Sequence, residues 1–539
     1  MLMRESRRRL LGRLEREFGR EPEVSYKSGD MDGIAAYHNW VRDRRPGEFH
    51  IDGVTWFDLD MDRLFKRMNA AQSTPGEQYL YHLLHTPALD AGEFARRRGL
   101  ISLGGGGEDE RLRIQYVLAR LGRFRRADVR RVFAPEAHGA ARLALYVLLA
   151  LCFTLSPLLA IPCGPGALAA TVGLFILNTM LRELVLRRVQ GDFDAVNFSV
   201  AMVFALRRLK RLGIPRLDGQ LRGAYAALER LRPILRTGGV SRSGSGDMGD
   251  LISSVFLLDL IVYEYLKTRL AGLGGELTAV FEALGGVDAG IAIASWRELQ
   301  GRWCEPELSF DGAGAVARGL VHPLLKNAVP NDWDGGSSAL VTGSNASGKS
   351  TYLRTVLLSA LLSECVCTCP GESYRGGAFR IYSSMAPEDD IFSGESYYMA
   401  EIRAVKRILD AAAQEGPRVL CVLDEVLRGT NTIERIAAAG EILSALDSLG
   451  CLCLAATHDV ELCSLLDGRF RLLHFEEHID GGEMAFDYLA RPGRARTRNA
   501  IRLLELMGLG GEITERADER ARRFMETGSW TAGEGEEGQ

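Results

Sequence analysis

Closely paired cysteines are missing from this sequence: ten cysteines lie scattered through 539 residues, and no two have C-x-x-C spacing. That excludes a disulfide-stapled scaffold and argues against a structural zinc site. Cys152, Cys163, Cys365, Cys421, Cys451 and Cys453 all sit in hydrophobic runs and read as reduced core thiols. The one cluster, Cys365-x-Cys367-x-Cys369, lacks metal-ligand spacing. Excess charge of either sign is missing too. Lys and Arg total 66 against 70 Asp and Glu, a formal net charge of -4, so any nucleic-acid contact needs a local basic face. No secretory leader is visible: residues 1–20 carry Arg4, Arg7, Arg8, Arg9, Arg13, Arg16 and Arg20 between leucines, without a continuous apolar stretch. They read as an amphipathic basic helix turned either to solvent or to a membrane surface. There is no internal repeat.

What is present is enough apolar material, 46% of residues with 25% charged, to build several packed domains. Residues 1–54 form the basic N-terminal segment, and residues 55–141 the first part of a helical region. Helical spacing runs over 56–87 with a break at 73–75, and over 96–132 with a glycine turn at 104–107. Composition then changes: residues 143–161 and 163–181 contain no charge, and Pro162-Cys-Gly-Pro165-Gly166 separates them. Each run is about 19 residues, just enough to cross a hydrocarbon core. Arginines crowd both outer ends, at 123, 125, 126, 130, 131 and 142 before and at 182, 187 and 188 after. By the positive-inside rule, residues 142–186 form a transmembrane helical hairpin with both flanks in the cytoplasm. The competing reading is an apolar helix pair buried in protein. Residues 187–318 return to helical patterns, with a flexible break at 241–246. Residues 251–270 are apolar but carry Asp259, Glu264 and Lys267, so they read as a buried core helix. Residues 528–539, rich in Gly and Glu, read as a disordered tail.

Residues 339–342 give a short apolar strand signal, followed by Gly343-Ser-Asn-Ala-Ser-Gly348-Lys349-Ser350-Thr351 and a helical pattern over 352–365. This is G-x-x-x-x-G-K-[ST] in its strand–loop–helix context. Glycines let backbone N–H groups turn inward around phosphates, and the helix N-terminus adds positive potential. Lys349 reaches the β- and γ-phosphates of ATP, and the Ser350 hydroxyl ligates Mg²⁺. Residues 418–423 form a continuous apolar strand ending in Asp424-Glu425. Asp424 stands where a Mg²⁺-linked carboxylate belongs, and Glu425 is placed to orient or deprotonate the attacking water. A third strand, 451–456, ends in Thr457-His458. His458 contacts the γ-phosphate or the water, or else is a structural histidine.

Taken in order, these elements make the C-terminal part resemble the MutS family of DNA mismatch-repair ATPases. Gly319-Leu-Val-His322-Pro323 resembles the family's G-R-H-P, and residues 341–351 its I-T-G-P-N-M-G-G-K-S-T. Asp389-Asp390-Ile-Phe-Ser-Gly-Glu-Ser396-Tyr-Tyr-Met399-Ala-Glu401 resembles its D-D-L-x-x-G-x-S-T-F-M-x-E signature. Leu423-Asp424-Glu425-Val-Leu-Arg428-Gly429-Thr430-Asn431 resembles M-D-E-x-G-R-G-T-S, and Ala456-Thr457-His458 resembles A-T-H. More weakly, residues 69–77 are similar to the start of a family core helix, and residues 276–295 to the helix leading into the ATPase domain. The resemblance implies an α plus α/β protein. Its helical core and lever region carries the hairpin, and an ABC-type P-loop ATPase domain follows at 319–527. It further implies that Gly343, Asn345, Gly348, Lys349, Ser350 and Thr351 hold the nucleotide. Ser396 would touch ATP of the opposite subunit, Ser350 and Asp424 would hold Mg²⁺, and Glu425 with His458 would serve catalysis. Arg428 to Thr430 would lie at a homodimer interface.

The departures are specific. Residues before Trp56 have neither the room for a mismatch-reading domain nor its F-x-E element, the connector domain is missing, and the apolar hairpin displaces the clamp. Residues 498–508 fit the family's dimerising helix–turn–helix only loosely. The expectation is an ATP-hydrolysing homodimer on the cytoplasmic side of the cell membrane. Its helical levers, with arginines at 207, 208, 211, 222, 230 and 232, bind DNA by structure or non-specifically under nucleotide control. The alternative is a membrane-anchored ATPase switch acting on a protein or lipid partner without DNA.

Overall fold

Residues 274–300 carry apolar side chains on every face, and a helix of that kind must be enclosed. In the computed structural model it is: helix Gly274–Gln300 is buried without interruption from Leu284 to Arg297. The structure describes residues 2–124, 128–134, 140–236, 246–344, 347–385, 397–480, 483–494, 510–527 and 530. They divide into two compact units. One comprises Met1–Asp52, Asp60–Trp303 and Leu361–Thr368; the other comprises Gly53–Leu59, Cys304–Ala360 and Cys369–Gln539. The packing therefore does not follow the sequence division at 318/319.

The first unit is all helix. Helices Thr74–His85, Ala91–Ser102, Pro215–Arg230 and the second half of Leu168–Lys210 surround Gly274–Gln300. The break expected at 73–75 is a helix start. The Ser73 hydroxyl accepts from the Gly76 N–H, and Pro75 sits in the first turn. Beneath it lies Asp288 of the central helix, whose carboxylate accepts from the N–H groups of Gln72 (3.0 Å) and Ser73 (2.8 Å) and from the Ser73 hydroxyl. Burial raises the Asp288 pKa to about 6 against these bonds. The approach is so close that a Cβ on Gly76 would stand 2.2 Å from Asp288 Oδ2. The glycine turn at 104–107 separates Ala91–Ser102 from Glu108–Leu121. The basic helix Leu2–Glu17 buries Leu14 and leaves Arg7, Arg8 and Arg9 exposed.

Two helical expectations need correction. Residues 143–161 do not form one rod: helix Ala140–Leu155 gives way to 3₁₀ turns at Ser156–Leu159, because Pro157 has no N–H to donate. The second run opens a 43-residue helix, Leu168–Lys210, that continues well past the charge-free stretch. Residues 251–270 are not one core helix either. Helices Gly246–Val255 and Leu258–Leu270 meet at Leu257 (φ +53°), and Leu251, Ile252 and Leu258 are exposed. Cys152 and Cys163, expected in a core, are exposed as well.

The second unit is built on a six-stranded sheet. Its order is Arg491–Pro492, Arg471–His474, Ala339–Thr342, Leu452–Ala456, Val419–Asp424, Arg380–Ser384. All pairings are parallel except that of Arg491–Pro492. Strands Ala339–Thr342 and Leu452–Ala456 are buried throughout, and Val419–Asp424 up to Leu423, as expected of a sheet covered on both faces. A four-stranded sheet contains Ala315–Leu320 and Asn331–Asp334. The short helix Gly53–Asp58 packs with the main sheet, where Asp58 accepts from the Ser383 hydroxyl (2.6 Å) and the Met385 N–H (3.1 Å). The signature residues 389–396, the segment 498–508 and the tail from 531 lie outside the described residues.

Four histidines cluster in the helical unit. The His38 ring centre lies 4.2 Å from that of His85, 5.2 Å from His50 and 5.6 Å from His82. Burial pulls all four pKa values down, His85 to about 3, and the neighbouring Arg42, Arg45 and Arg97 reinforce the shift while Glu48 opposes it at His50. Such groups take up protons only on unfolding. Stability is therefore full above the unfolded histidine pKa of about 6.5 and falls as pH drops below it, by up to about 1.4 kcal/mol per pH unit for each histidine. Urea titrations at a series of pH values should show the helical unit's midpoint dropping below about pH 6.5; an unchanged midpoint would contradict the neutral cluster. Gly76→Ala should cost about 1–3 kcal/mol in the same assay, because Asp288 cannot retreat without losing its bonds.

Candidate nucleotide-binding site

The loop between strand Ala339–Thr342 and helix Lys349–Val366 bends at two glycines in left-handed or unusual backbone regions, Gly343 (φ +139°) and Gly348 (φ +103°). A Cβ at Gly348 would also press on the Tyr488 ring at 3.1 Å. The backbone at Asn345 lies outside the described residues. Lys349 opens the helix and folds back over the loop, its ammonium donating to the carbonyls of Gly343 (2.6 Å) and Ser344 (2.8 Å). Burial lowers its pKa to about 8, against the pull of Glu425 and Asp424. The cation is thus held by oxygens at the point where a phosphate would arrive.

Parallel pairing brings the other elements alongside. Val419–Asp424 pairs with Leu452–Ala456, which pairs with Ala339–Thr342, so all three strands end at one edge of the sheet. Asp424 faces the loop and accepts from the Ser350 hydroxyl, while burial raises its pKa. Its Oδ1 is buried without a hydrogen-bond partner among the described residues. An orphaned carboxylate oxygen beside a serine hydroxyl is a donor set that fits Mg²⁺. Glu425 adopts φ +55°, a region costing a non-glycine residue about 1–2 kcal/mol, and this turn aims its carboxylate across the cleft. One Glu425 oxygen lies 2.8 Å from His458 Nε2 and the other 2.7 Å from Arg428 Nε. The His458 bond, with the Arg428 and Lys349 charges, holds the Glu425 pKa below its ordinary value despite burial. His458 Nε2 is 3.3 Å from Lys349 Nζ. The structure therefore gathers Gly343, Gly348, Lys349, Ser350, Thr351, Asp424, Glu425 and His458 in one neighbourhood. Ser396, like Asn345, lies outside the described residues.

Sequence reasoning missed one feature. A cavity of about 280 Å³ opens beside Gly348 and Thr351, lined by His322, Val329, Asn331 and Tyr488 among others. Asn331 shapes its wall: its amide donates to the Tyr488 carbonyl (2.9 Å) and accepts from the Ala490 N–H (2.8 Å), holding Tyr488 at φ +57°. Tyr488 is 140 residues from Gly348, and nothing local marks it. His322 carried the only signal, and the sequence placed it merely at the start of a domain.

Comparison with known proteins agrees with this geometry. Residues 339–525 match the family model for MutS domain V. The DNA mismatch repair protein MutS of Chloroflexus aurantiacus is 32% identical over 274 residues, covering 48% of this chain and 28% of the relative. Those of Thermus thermophilus and Thermus aquaticus are 27% and 28% identical over 508 residues, covering 85% of this chain and 60% of each relative. The chain thus spans well under two thirds of the relatives' length. The match to the Thermus proteins reaches beyond the sheet into the helical unit, so the likeness is not confined to a phosphate loop. Residues 339–525 therefore belong with MutS domain V, and the likeness to MutS proteins extends over most of the chain.

Proposed function

We propose that this protein hydrolyses ATP at the described cleft and closes as a homodimer on DNA, in mismatch repair or another branch of DNA maintenance. One observation carries the reading: Lys349, Ser350, Asp424, Glu425 and His458, drawn from three strand ends, converge on a space bordered by a phosphate loop. ATP would enter with its phosphates over the loop. Lys349 would exchange the Gly343 and Ser344 carbonyls for phosphate oxygens, a transfer of a buried cation from neutral to charged acceptors. Ser350 and Asp424 would hold Mg²⁺, which when bound neutralises charge between the β- and γ-phosphates.

Glu425 is kept ionised and acts as the group that orients or deprotonates the attacking water. His458 and Arg428 each hold one of its oxygens, and each oxygen keeps a second lone pair with which a water can be oriented. His458, between Glu425 and Lys349, is positioned to sense the γ-phosphate. The cavity beside Thr351 suits the nucleobase. Family likeness supports the remaining roles: Asn345 on the phosphates, Ser396 on the opposite subunit's ATP, and residues 428–430 at the dimer interface. A contact in trans makes nucleotide binding report on subunit closure.

DNA would be held by lever arginines such as Arg207, Arg208 and Arg222, through phosphates rather than mismatched bases. The rival, a membrane-bound switch without DNA, is favoured by the exposed apolar helices at 141–184.

Lys349→Ala should abolish binding of a fluorescent ATP analogue. Glu425→Gln should retain binding, slow phosphate release about 10²–10⁴-fold, and trap an ATP-dependent dimer in sedimentation; hydrolysis at the normal rate would remove Glu425 from the chemistry. Affinity for duplex and branched DNA should fall linearly with salt on logarithmic axes. No binding, or a flat response, would leave the rival reading in place.

A further inference from the structure

Among the described residues, three helices are long and apolar enough to cross a membrane, and they differ in one respect. Gly274–Gln300 is 78% buried in its most apolar window, whereas Ala141–Leu159 is 11% buried and Leu168–Lys210 only 6%. Leu148, Leu151 and Leu155 on one leg, and Val172, Ile176 and Met180 on the other, lie open. A surface this continuous is unstable in water and needs an occupant. We infer that the occupant is a lipid bilayer with anionic headgroups. The hairpin 143–184 inserts from its arginine-bearing end, and Leu168–Lys210 carries that insertion into the helical unit as a single rod.

Polar satisfaction argues for lipid over a protein partner. Hydrocarbon offers no hydrogen bonds, so polar groups within it must pair internally. The four serine and threonine hydroxyls of the hairpin do so. Thr154 donates to the Ala150 carbonyl (2.8 Å), Thr179 to that of Phe175 (2.9 Å) and Ser156 to that of Phe153 (2.8 Å), and Ser156 meets the Thr171 hydroxyl at 2.9 Å. The Asn178 side chain is turned inward and fully buried, its Nδ2 donating to the Val255 carbonyl at 2.8 Å while its Oδ1 has no partner among the described residues.

Charge and length agree. Tyr146 of the first leg and Leu181 and Val185 of the second join one cluster with Leu257 and Leu260, so the arginine-bearing ends of the two legs lie together. Arg142, Arg187 and Arg188 are exposed there, while Arg182 is tied to Asp259. The second leg, 168–184, rises about 25 Å at 1.5 Å per residue, most of a hydrocarbon core of about 30 Å. Exposed Leu251, Ile252 and Leu258, on two helices that pack against the hairpin, extend the apolar surface sideways. The legs cross in opposite directions, so the chain before 142 and after 186 stays on the arginine side, the cytoplasmic face by the positive-inside rule.

The rod gives the insertion a mechanical consequence. Beyond residue 186 the same helix buries Phe193, Val196, Met202 and Leu206, and it is braced where Asp192 meets Lys267 (2.7 Å) and Arg131 (2.6 Å). The apolar leg and this packed half belong to one helix, unbroken from 168 to 210, in which Gly191 between them lies close against the Arg131 guanidinium.

The test uses the full-length protein with vesicles of phosphatidylcholine and phosphatidylglycerol. It should float with them and resist extraction by high salt. Leu151→Glu with Ile176→Glu, both at exposed positions, should abolish flotation while leaving ATP turnover unchanged. The exposed thiol of Cys152, midway along the first leg, serves as a native probe. An impermeant maleimide should label it at least tenfold more slowly in preformed proteoliposomes than after detergent is added. Failure to float, with the wild type forming a discrete lipid-free oligomer, would assign the surface to a second copy and overturn the inference. Equal labelling with and without detergent would overturn it too. Loss of ATP turnover in the wild type would instead count against the catalytic reading and leave this one standing.

Discussion

A single ammonium group, Lys349 Nζ, organises the nucleotide cleft. Buried at the first turn of a helix, it pulls two loop carbonyls onto itself and draws an acidic strand tip and an imidazole to within a few ångströms. A buried cation without oxygens around it would be costly, so the loop must curl, and only glycines at 343 and 348 let it curl that far. The strained backbone at Glu425 belongs to the same arrangement, because it turns a strand-end carboxylate back toward the cation. Under the proposed function, a triphosphate would replace the two carbonyls now held by Lys349.

The helical unit meets a different demand. Its central helix is apolar all round and must be enclosed, which forces neighbours so close that side chains are excluded at Gly76, and places Asp288 under a helix start. A buried carboxylate there is tolerated because three donors meet it. The histidines follow the opposite logic. They are kept neutral by burial and by nearby arginines, so the unit's stability is tied to proton activity without any acid–base chemistry being performed.

Burial, not composition, separates the apolar helices from one another. The charge-free legs and the central helix satisfy the same criterion of length and hydropathy, yet the central helix lies inside the unit and the legs stand outside it. The serine and threonine hydroxyls of the legs pair within the hairpin, which suits the inferred bilayer. If the legs insert as inferred, the continuous helix from apolar leg to packed core would couple that insertion to the helical unit.

Much of this was legible in the residue order. The phosphate loop, the strand ending in Asp424-Glu425 and Thr457-His458 after a third strand are local patterns whose chemistry depends on residues a few positions apart, and the parallel sheet that unites them follows from their spacing. The helix break at 73–75 and the glycine turn at 104–107 were legible for the same reason. Tertiary structure alone decided the rest. It set Tyr488 against Gly348 and let Asn331 hold it there, a wall built from segments that sequence distance disguises. It divided residues 251–270 into two helices at Leu257 and ran the second apolar leg on into a 43-residue rod. It also left Cys152 and Cys163 exposed where hydrophobic surroundings in sequence suggested a core. Local pattern encodes what a residue can do over one or two turns; which surfaces meet, and which are left for another phase to cover, is settled only when distant segments compete for the same space.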